Sequence, residues 1–299
     1  MKTVFITGAN GFLGQHLTLY LAAKGYIVIA SGRGRCRIPL SKKFEYAELD
    51  LTDKDAVYQC LQSHQPDIII HTAAMSKPDE CNNNKKLCLV NNVDATENLL
   101  SAARSFSPHF IYTSTDFIFG ENGPHSEEDQ PEPLNFYGES KLMAEALVKK
   151  SGLNYSIVRP VFMYGAAWEG MRPSFLHWVK NHLEQHKPIK VVNDQWRTPS
   201  FVQDICKGIE SIILYSAAGD FHLAGKDIIS PYQMAVLVAD VLKLDRSLIE
   251  MVNSESFPEP VKRSKRSGLK IDKAIRVLGY AAVSFEEGIR LTFPEQFKA

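Results

Sequence analysis

Val4-Phe5-Ile6-Thr7 runs directly into Gly8-Ala9-Asn10-Gly11-Phe12-Leu13-Gly14, and leucines then recur at positions 13, 17 and 21. The apolar run reads as a strand, and leucine at every fourth position reads as one face of a helix. The glycine turn between them has the form a dinucleotide pyrophosphate needs. Gly8 allows a tight turn, Gly11 lets the backbone approach the phosphates, and Gly14 lets the helix pack close to the strand. The helix N-terminus then offers unpaired N–H groups to the anion. Asn10, Phe12 and Leu13, between the glycines, belong to the same predicted contact. The spacing is GxxGxxG rather than GxGxxG. A glycine triplet alone is weak, because glycines also make ordinary turns; its position between a clean strand and a clean helix makes it specific.

Outward from this turn, short apolar runs at residues 4–7, 26–30, 44–49, 67–72, 110–114 and 155–159 alternate with segments of helical period, such as Ala56, Val57, Cys60 and Leu61. This alternation predicts an α/β fold: a Rossmann, doubly wound parallel sheet covered on both faces by helices. Past Gly165 the rhythm changes. Helices are expected over 174–186 and 201–215, with another starting at Ser230-Pro231 and a last one opening on a Ser284/Glu287 capping pattern. The expected organisation is a dinucleotide-binding domain over 1–165 and a smaller, mixed substrate-binding part over 166–299, with 198–216 packing back on the first domain.

The chain has 299 residues, 44% of them hydrophobic, which is enough for a substantial core. Its 34 basic and 34 acidic residues cancel, so charge gives no reason to expect nucleic acid as a partner. No apolar run is long enough to span a bilayer, and the N-terminus lacks the form of a signal peptide. Cys36, Cys60, Cys81, Cys88 and Cys206 are scattered and odd in number, with neither a disulfide framework nor a CxxC metal pair. Reduced thiols in the cytoplasm, with no metal site, are the expectation.

The end of the second strand bears on which dinucleotide is held. An NAD site usually places an acid there for the ribose 2′-OH. Here the sequence is Ser31-Gly32-Arg33-Gly34-Arg35, without an acid. Ser31 and Arg33 fit a 2′-phosphate and hence NADP(H) in preference to NAD(H); the alternative is that Arg33 and Arg35 are solvated loop charges. Asp50-Leu51 and Ala73-Ala74 end the third and fourth strands, on the side where such a sheet binds its ligand.

Tyr137 and Lys141 stand at i and i+4 on one helix face. A tyrosine beside an ammonium can do acid–base work on a carbonyl, because the charge favours phenolate and draws the phenol toward working range. About one such pair arises by chance in this composition, and Tyr20 with Lys24 is a second. The Tyr137 pair differs in having Ser114-Thr115-Asp116 upstream at the end of the fifth strand, where a hydroxyl can hold a substrate oxygen.

GxxGxxG at the N-terminus, HTAA at 71–74, Asn92 with its following residues to Leu99, STDFIFG at 114–120, YGESK at 137–141 and VRPVFMYG at 158–165 occur in order. Together they resemble the extended short-chain dehydrogenase/reductase family over nearly the whole chain. The resemblance implies a catalytic triad of Thr115, Tyr137 and Lys141. Lys141 would also hold the nicotinamide ribose, Asn92 would support the site, and Pro160 would join the cofactor contacts. STDF followed by YGESKLMAE is most similar to dTDP-4-dehydrorhamnose reductases, and 194–200 resembles their substrate segment. Those relatives usually carry glycine where Arg197 stands and tryptophan where Phe162 stands, which leaves the sugar and nucleotide open. Asp116, Phe162, Arg172, Arg197 and Arg263 are the implied substrate contacts. The basic run at 262–269 would meet a diphosphate or is a solvated loop.

The activity this implies is NADPH-dependent reduction of the 4-keto group of a nucleotide-linked deoxysugar, with Tyr137 as proton donor. A nucleotide-sugar epimerase is an alternative. A dehydratase would need an acid where Phe117 stands. A non-catalytic NADP-binding regulatory subunit, as in the beta subunit of methionine adenosyltransferase, is a third reading. The resemblance also implies a homodimer through helices near 87–103 and 137–149, and leaves Mg²⁺ open as an accessory ion.

Overall fold

Residues 1–39, 43–171, 173–257 and 260–297 are described by the computed structural model of the chain. The strands are β1 (Thr3–Thr7), β2 (Ile27–Gly32), β3 (Phe44–Glu48), β4 (Ile68–His71), β5 (His109–Thr113), β6 (Tyr155–Arg159), β7 (Met163–Tyr164), β8 (Ile189–Val192), β9 (Ser200–Phe201), β10 (Gly219–His222) and β11 (Ile249–Val252). The α-helices are α1 (Phe12–Ala23), α2 (Lys54–His64), α3 (Pro78–Asn83), α4 (Lys85–Leu89), α5 (Ala95–Ala103), α6 (Phe136–Lys150), α7 (Phe175–Glu184), α8 (Val202–Tyr215), α9 (Pro231–Leu242), α10 (Asp272–Leu278) and α11 (Phe285–Thr292).

The main sheet has the order β10-β6-β5-β4-β1-β2-β3, and every neighbouring pair is parallel. The chain steps outward from β1 to β3, then returns to β4 on the other side of β1. That reversal opens a crevice at the carboxyl ends of β1 and β4. Side chains alternate across the sheet. Val4, Ile6, Val28, Ile70 and Val158 meet Leu13, Leu17 and Leu21 of α1 and Ile205, Ile209 and Ile212 of α8. Phe5, Ile29, Ile69, Phe110 and Ile157 point the other way, onto Val57 and Leu61 of α2, Leu99 of α5 and Val148 of α6. A separate cluster joins Leu176 and Val179 of α7, Met234 and Val238 of α9 and Phe285 and Ile289 of α11.

The six strands expected from the apolar runs are all present. A seventh, β10, was not anticipated. Gly-Asp-Phe-His carries no β-branched residue, and it is held in place by pairing Asp220 with Ile157 and Phe221 with Val158 of β6. The predicted helix starts hold at Ser230 and Ser284. Ser230 and Gln233 make a reciprocal capping box, whereas Ser284 accepts from the Glu287 N–H alone. The segment predicted as one helix over 87–103 is divided by a wide turn at Val90–Asp94, closed by a bond from the Ala95 N–H to the Val90 carbonyl. Among the described residues, no helix is long and apolar enough to cross a membrane.

Candidate active site

The carboxyl ends of β1, β2, β4, β5 and β6 converge on a cleft of about 590 Å³. Its walls include Gly8, Asn10, Gly11, Phe12, Leu13 and Gly14 from the first turn, Ser31 at the end of β2 and Arg33 just after it. Asp50 and Leu51 follow β3, Ala73 and Ala74 follow β4, and Thr115, Tyr137, Lys141, Pro160 and Phe162 close the far end. Residues separated by more than a hundred positions meet here because parallel strands bring all their carboxyl ends to one edge.

The glycine turn is tight. Gly8 has φ +67°, and a Cβ there would stand 2.5 Å from the Ala73 nitrogen. A Cβ on Gly14 would stand 2.3 Å from the Gly8 carbonyl oxygen. Larger residues would therefore force α1 away from β1 and β4. Among the described residues, the hydroxyls of Ser31, Thr113 and Ser114 are buried at this cleft with no hydrogen-bond partner. Buried hydroxyls without partners are costly, so their arrangement at the crevice is that of groups set to meet a polar ligand. With the turn and the helix N-terminus, they fit a dinucleotide.

After β2 the chain continues through Arg33 and Arg37, and both line the cleft. Arg37 escaped the sequence reading, because nothing in the pattern marks how far the loop folds back. The Asn10 side chain does that folding: its amide nitrogen donates to the carbonyls of Arg33 and Arg35 at 3.1 Å, and its oxygen accepts from the Arg37 N–H at 2.9 Å. The carboxylate of Asp50 is lowered first by the Thr52 backbone N–H, with Arg33 contributing.

At the chemical end, α6 starts at Asn135, whose side chain accepts from the Gly138 N–H. This fixes Tyr137 and Lys141 in the first turns of the helix, 7% and 2% exposed. Lys141 Nζ donates to the Thr113 carbonyl at 2.7 Å and stands 4.2 Å from the centre of the Tyr112 ring. Burial pulls its ammonium down to about 7, against the opposing pull of Glu145. Tyr137 behaves differently from the sequence expectation. Burial drives its phenol well above the usual range, while a hydrogen bond with Thr115 acts in the opposite sense. Lys141 donates to the strand carbonyl, and burial is the largest influence on the phenol. A phenol that stays protonated is suited to giving a proton rather than taking one.

The decoy pair is elsewhere. The Tyr20 hydroxyl donates to Glu210 of α8, and Lys24 pairs with the same carboxylate at 3.7 Å. Asn92 is buried behind the wall rather than on it. It accepts from the Met75 N–H at 2.7 Å and donates to Ser140 Oγ at 2.9 Å, joining the post-β4 segment to α6. Asn91 and Ala95 line the cleft in its place.

The implied substrate residues divide between two spaces. Phe162 lines the main cleft, at φ +40° and edge-on to Phe175. Asp116 lines both this cleft and a narrow adjoining recess that also holds Arg197, Arg263, Ser264 and Ser267. Burial raises the Asp116 carboxyl, with Arg197 countering it. The Arg197 guanidinium donates to the carbonyls of Trp196 and Ser264 and to Gln195 Oε1. Arg263 is ion-paired with both carboxylate oxygens of Asp79, at 3.0 and 2.9 Å. Arg172 lies outside the described residues. Among the described residues, no group of three or more His, Cys, Asp or Glu is placed to hold a metal ion.

This architecture is that of an NAD(P)-dependent oxidoreductase of the extended short-chain dehydrogenase/reductase class. Within that class the chain belongs to the RmlD substrate binding domain family, whose model matches residues 1–296. It is 32% identical to methionine adenosyltransferase 2 subunit beta of Bos taurus, over 82% of this chain and 74% of that one. It is 28% identical to the "Probable low-salt glycan biosynthesis reductase Agl14" of Haloferax volcanii, over 95% of each chain. Among solved structures it is similar to the dTDP-4-dehydrorhamnose reductase of Bacillus anthracis in complex with NADP. That match has a TM-score of 0.86 at 28% identity, covering 98% of this chain and 99% of the other.

Proposed function

We propose that the protein reduces the 4-keto group of a nucleotide-linked deoxysugar with NADPH, and that Tyr137 gives the proton. The observation that carries this reading is the convergence of Thr115, Tyr137 and Lys141 on the cleft that also holds the glycine turn, Ser31 and Arg33. A bound nicotinamide would supply hydride to the carbonyl carbon. The chain's own residues do the rest. Tyr137 stays a phenol at neutral pH because it is buried, and donates its proton to the carbonyl oxygen as that oxygen becomes an alcohol. Thr115, hydrogen-bonded to Tyr137, orients that oxygen, and Lys141 fixes the end of β5 beside it. Ser31 and Arg33 favour a 2′-phosphate over a 2′-hydroxyl, and Arg37 joins them at the cleft. Asp116, Arg197 and Arg263 face the sugar nucleotide from the adjoining recess.

Assaying NADPH oxidation across a panel of nucleotide-4-keto-6-deoxysugars tests the reading. Turnover of at least one, lost in Tyr137→Phe, is expected; no turnover of any would defeat it. The 32% identity to a methionine adenosyltransferase subunit favours a second reading, in which the chain binds dinucleotide as a subunit of another enzyme. Failure on the whole panel together with stoichiometric capture of a synthetase-type partner would select that reading.

We further propose a cytoplasmic homodimer. The five thiols are unpaired, and Leu87 and Met143 are 46% and 45% exposed on the helical segments expected to pair. Light scattering at the monomer mass of 33.6 kDa would contradict the dimer.

A further inference from the structure

Beyond β7 the chain crosses from the main cleft toward α7, and on the way it is tied back to α1 at two successive helical positions. His16 Nε2 meets the Ala166 carbonyl at 2.9 Å, and the Trp168 indole N–H donates to Gln15 Oε1 at 2.7 Å. The Trp168 and His16 rings stand 4.7 Å apart. Gln203 Nε2 faces His16 Nδ1 at 3.1 Å. With a donor at Nδ1, the ring's proton sits on Nε2 and goes to Ala166. Burial pulls His16 down to about 4, so a neutral ring with one donor and one acceptor matches both bonds.

Gln15 is fully buried, and both ends of its amide are engaged. Its oxygen accepts from Trp168, and its nitrogen donates to the Asn10 carbonyl at 3.0 Å. An amide satisfied at both ends has one orientation. Asn10 is the residue whose side chain holds Arg33, Arg35 and Arg37 by their backbones. The bonds therefore run without a break from Trp168, on the substrate side, to the loop whose arginines line the other end of the cleft. The loop itself is mostly exposed, and besides Asn10 it is held by the Tyr46 hydroxyl at the Gly34 carbonyl.

We propose that Trp168 and Gln15 are positioning residues for the 33–37 loop, and that through them the substrate-side segment sets how tightly the 2′-phosphate end of the cofactor is gripped. This rests on the cofactor reading above. It assigns a role in cofactor specificity to a tryptophan that does not line the cleft.

The test uses two variants of the full chain. Trp168→Phe keeps an aromatic ring beside His16 while removing the N–H donor and one fused ring; Gln15→Met removes both bonds at similar volume. Amide hydrogen exchange on the protein without cofactor is the first readout. Both variants are expected to speed exchange at 33–37, the Arg37 amide above all, with other protected amides unchanged. Cofactor affinity is the second. NADPH should weaken by about twofold to twelvefold, the size of one net hydrogen bond, and NADH by less. Unchanged exchange at 33–37 in both variants would overturn the proposal. So would a uniform rise in exchange with a falling Tm, which is the mark of a structural role only. If the unaltered protein bound NADPH and NADH alike, the cofactor reading would fail, and the exchange result would still decide whether Trp168 holds the loop.

Discussion

Lys141 Nζ donates to the carbonyl oxygen of Thr113, the last residue of β5, at 2.7 Å. The same strand end carries Thr115 two residues on, so one bond sets the lysine and the hydroxyl of the proposed triad relative to each other. Holding an amine there has a cost. Burial brings Lys141 to about 7, and an unfolded lysine titrates near ~10.4. Between these values the unfolded chain binds more protons than the folded one, so this residue makes stability rise with pH from 7 upward. Below 7 the buried cation is a net burden. Lys141→Met should therefore be at least as stable as the parent near pH 6, and its advantage should shrink as pH climbs from 7 toward 10. Urea unfolding of both proteins across that range is the measurement. Parallel stability curves would show that Lys141 titrates where an ordinary lysine does.

Arg33→Ala and Arg37→Ala should each weaken NADPH more than NADH. Both line the cleft after β2, and a charge-assisted bond to phosphate is worth about 1.5–3 kcal/mol, or roughly tenfold and more in affinity. Fluorescence titration with each cofactor gives the two ratios. If the Arg37 substitution left both affinities alone, that arginine would be a bystander at the rim.

Gly14→Ala adds one methyl group at 2.3 Å from the Gly8 carbonyl oxygen, a backbone atom without freedom to yield. Overpacking of this kind costs about 1–3 kcal/mol, and here it also displaces the turn that faces the pyrophosphate. A fall in Tm together with weaker binding of both NADPH and NADH is expected. A change confined to one cofactor would contradict the shared role of this turn.

The sheet was legible because a strand, a glycine turn and a helix at residues 4–23 have few other interpretations, and the next apolar runs repeat the rhythm. The candidate site was legible where a motif fixes both residue and orientation, as in the meeting of Tyr137, Lys141 and Thr115 at one cleft. It was less so where geometry depends on folding back. Arg37 lines the cleft on a loop that Asn10 bends back, and Asn92, inside the wide turn at Val90–Asp94, bonds to Ser140 of α6 and does not line the cleft. At Tyr137 burial raises the phenol, against the lowering that a nearby ammonium brings. The i, i+4 spacing gave proximity to an ammonium, but burial and the carbonyl that engages Lys141 follow only from tertiary packing.

The basic run carrying Arg263 is expected to meet a diphosphate or to be a solvated loop, and Arg263 is paired with Asp79 of α3. Arg263 is 21% exposed and Asp79 41%, so the pair is screened and a phosphate can compete for the arginine. Asp79→Asn should then lower KM for a nucleotide sugar by a few-fold at unchanged kcat, and Arg263→Ala should raise it. If both substitutions left KM unchanged, the arginine would serve only to pin the C-terminal segment to α3.

Tyr137→Phe removes a hydroxyl and nothing else, so the fold and the cofactor site should persist. Turnover should fall by at least the ~10²-fold typical of losing a general acid, with NADPH affinity near that of the parent. Because burial raises Tyr137, the parent's reductive rate should show no loss from ionisation of this group between pH 6 and 9. Thr115→Val should also lower kcat, through the lost hydrogen bond at the developing alkoxide. Lys141→Ala should lose turnover and cofactor affinity together, since it frees the Thr113 carbonyl and, on the proposed reading, removes a ribose contact. The pattern across the three matters more than any single value. Wild-type turnover of a keto-sugar by Tyr137→Phe would remove the proton donor from the proposed mechanism, whatever the other two variants did.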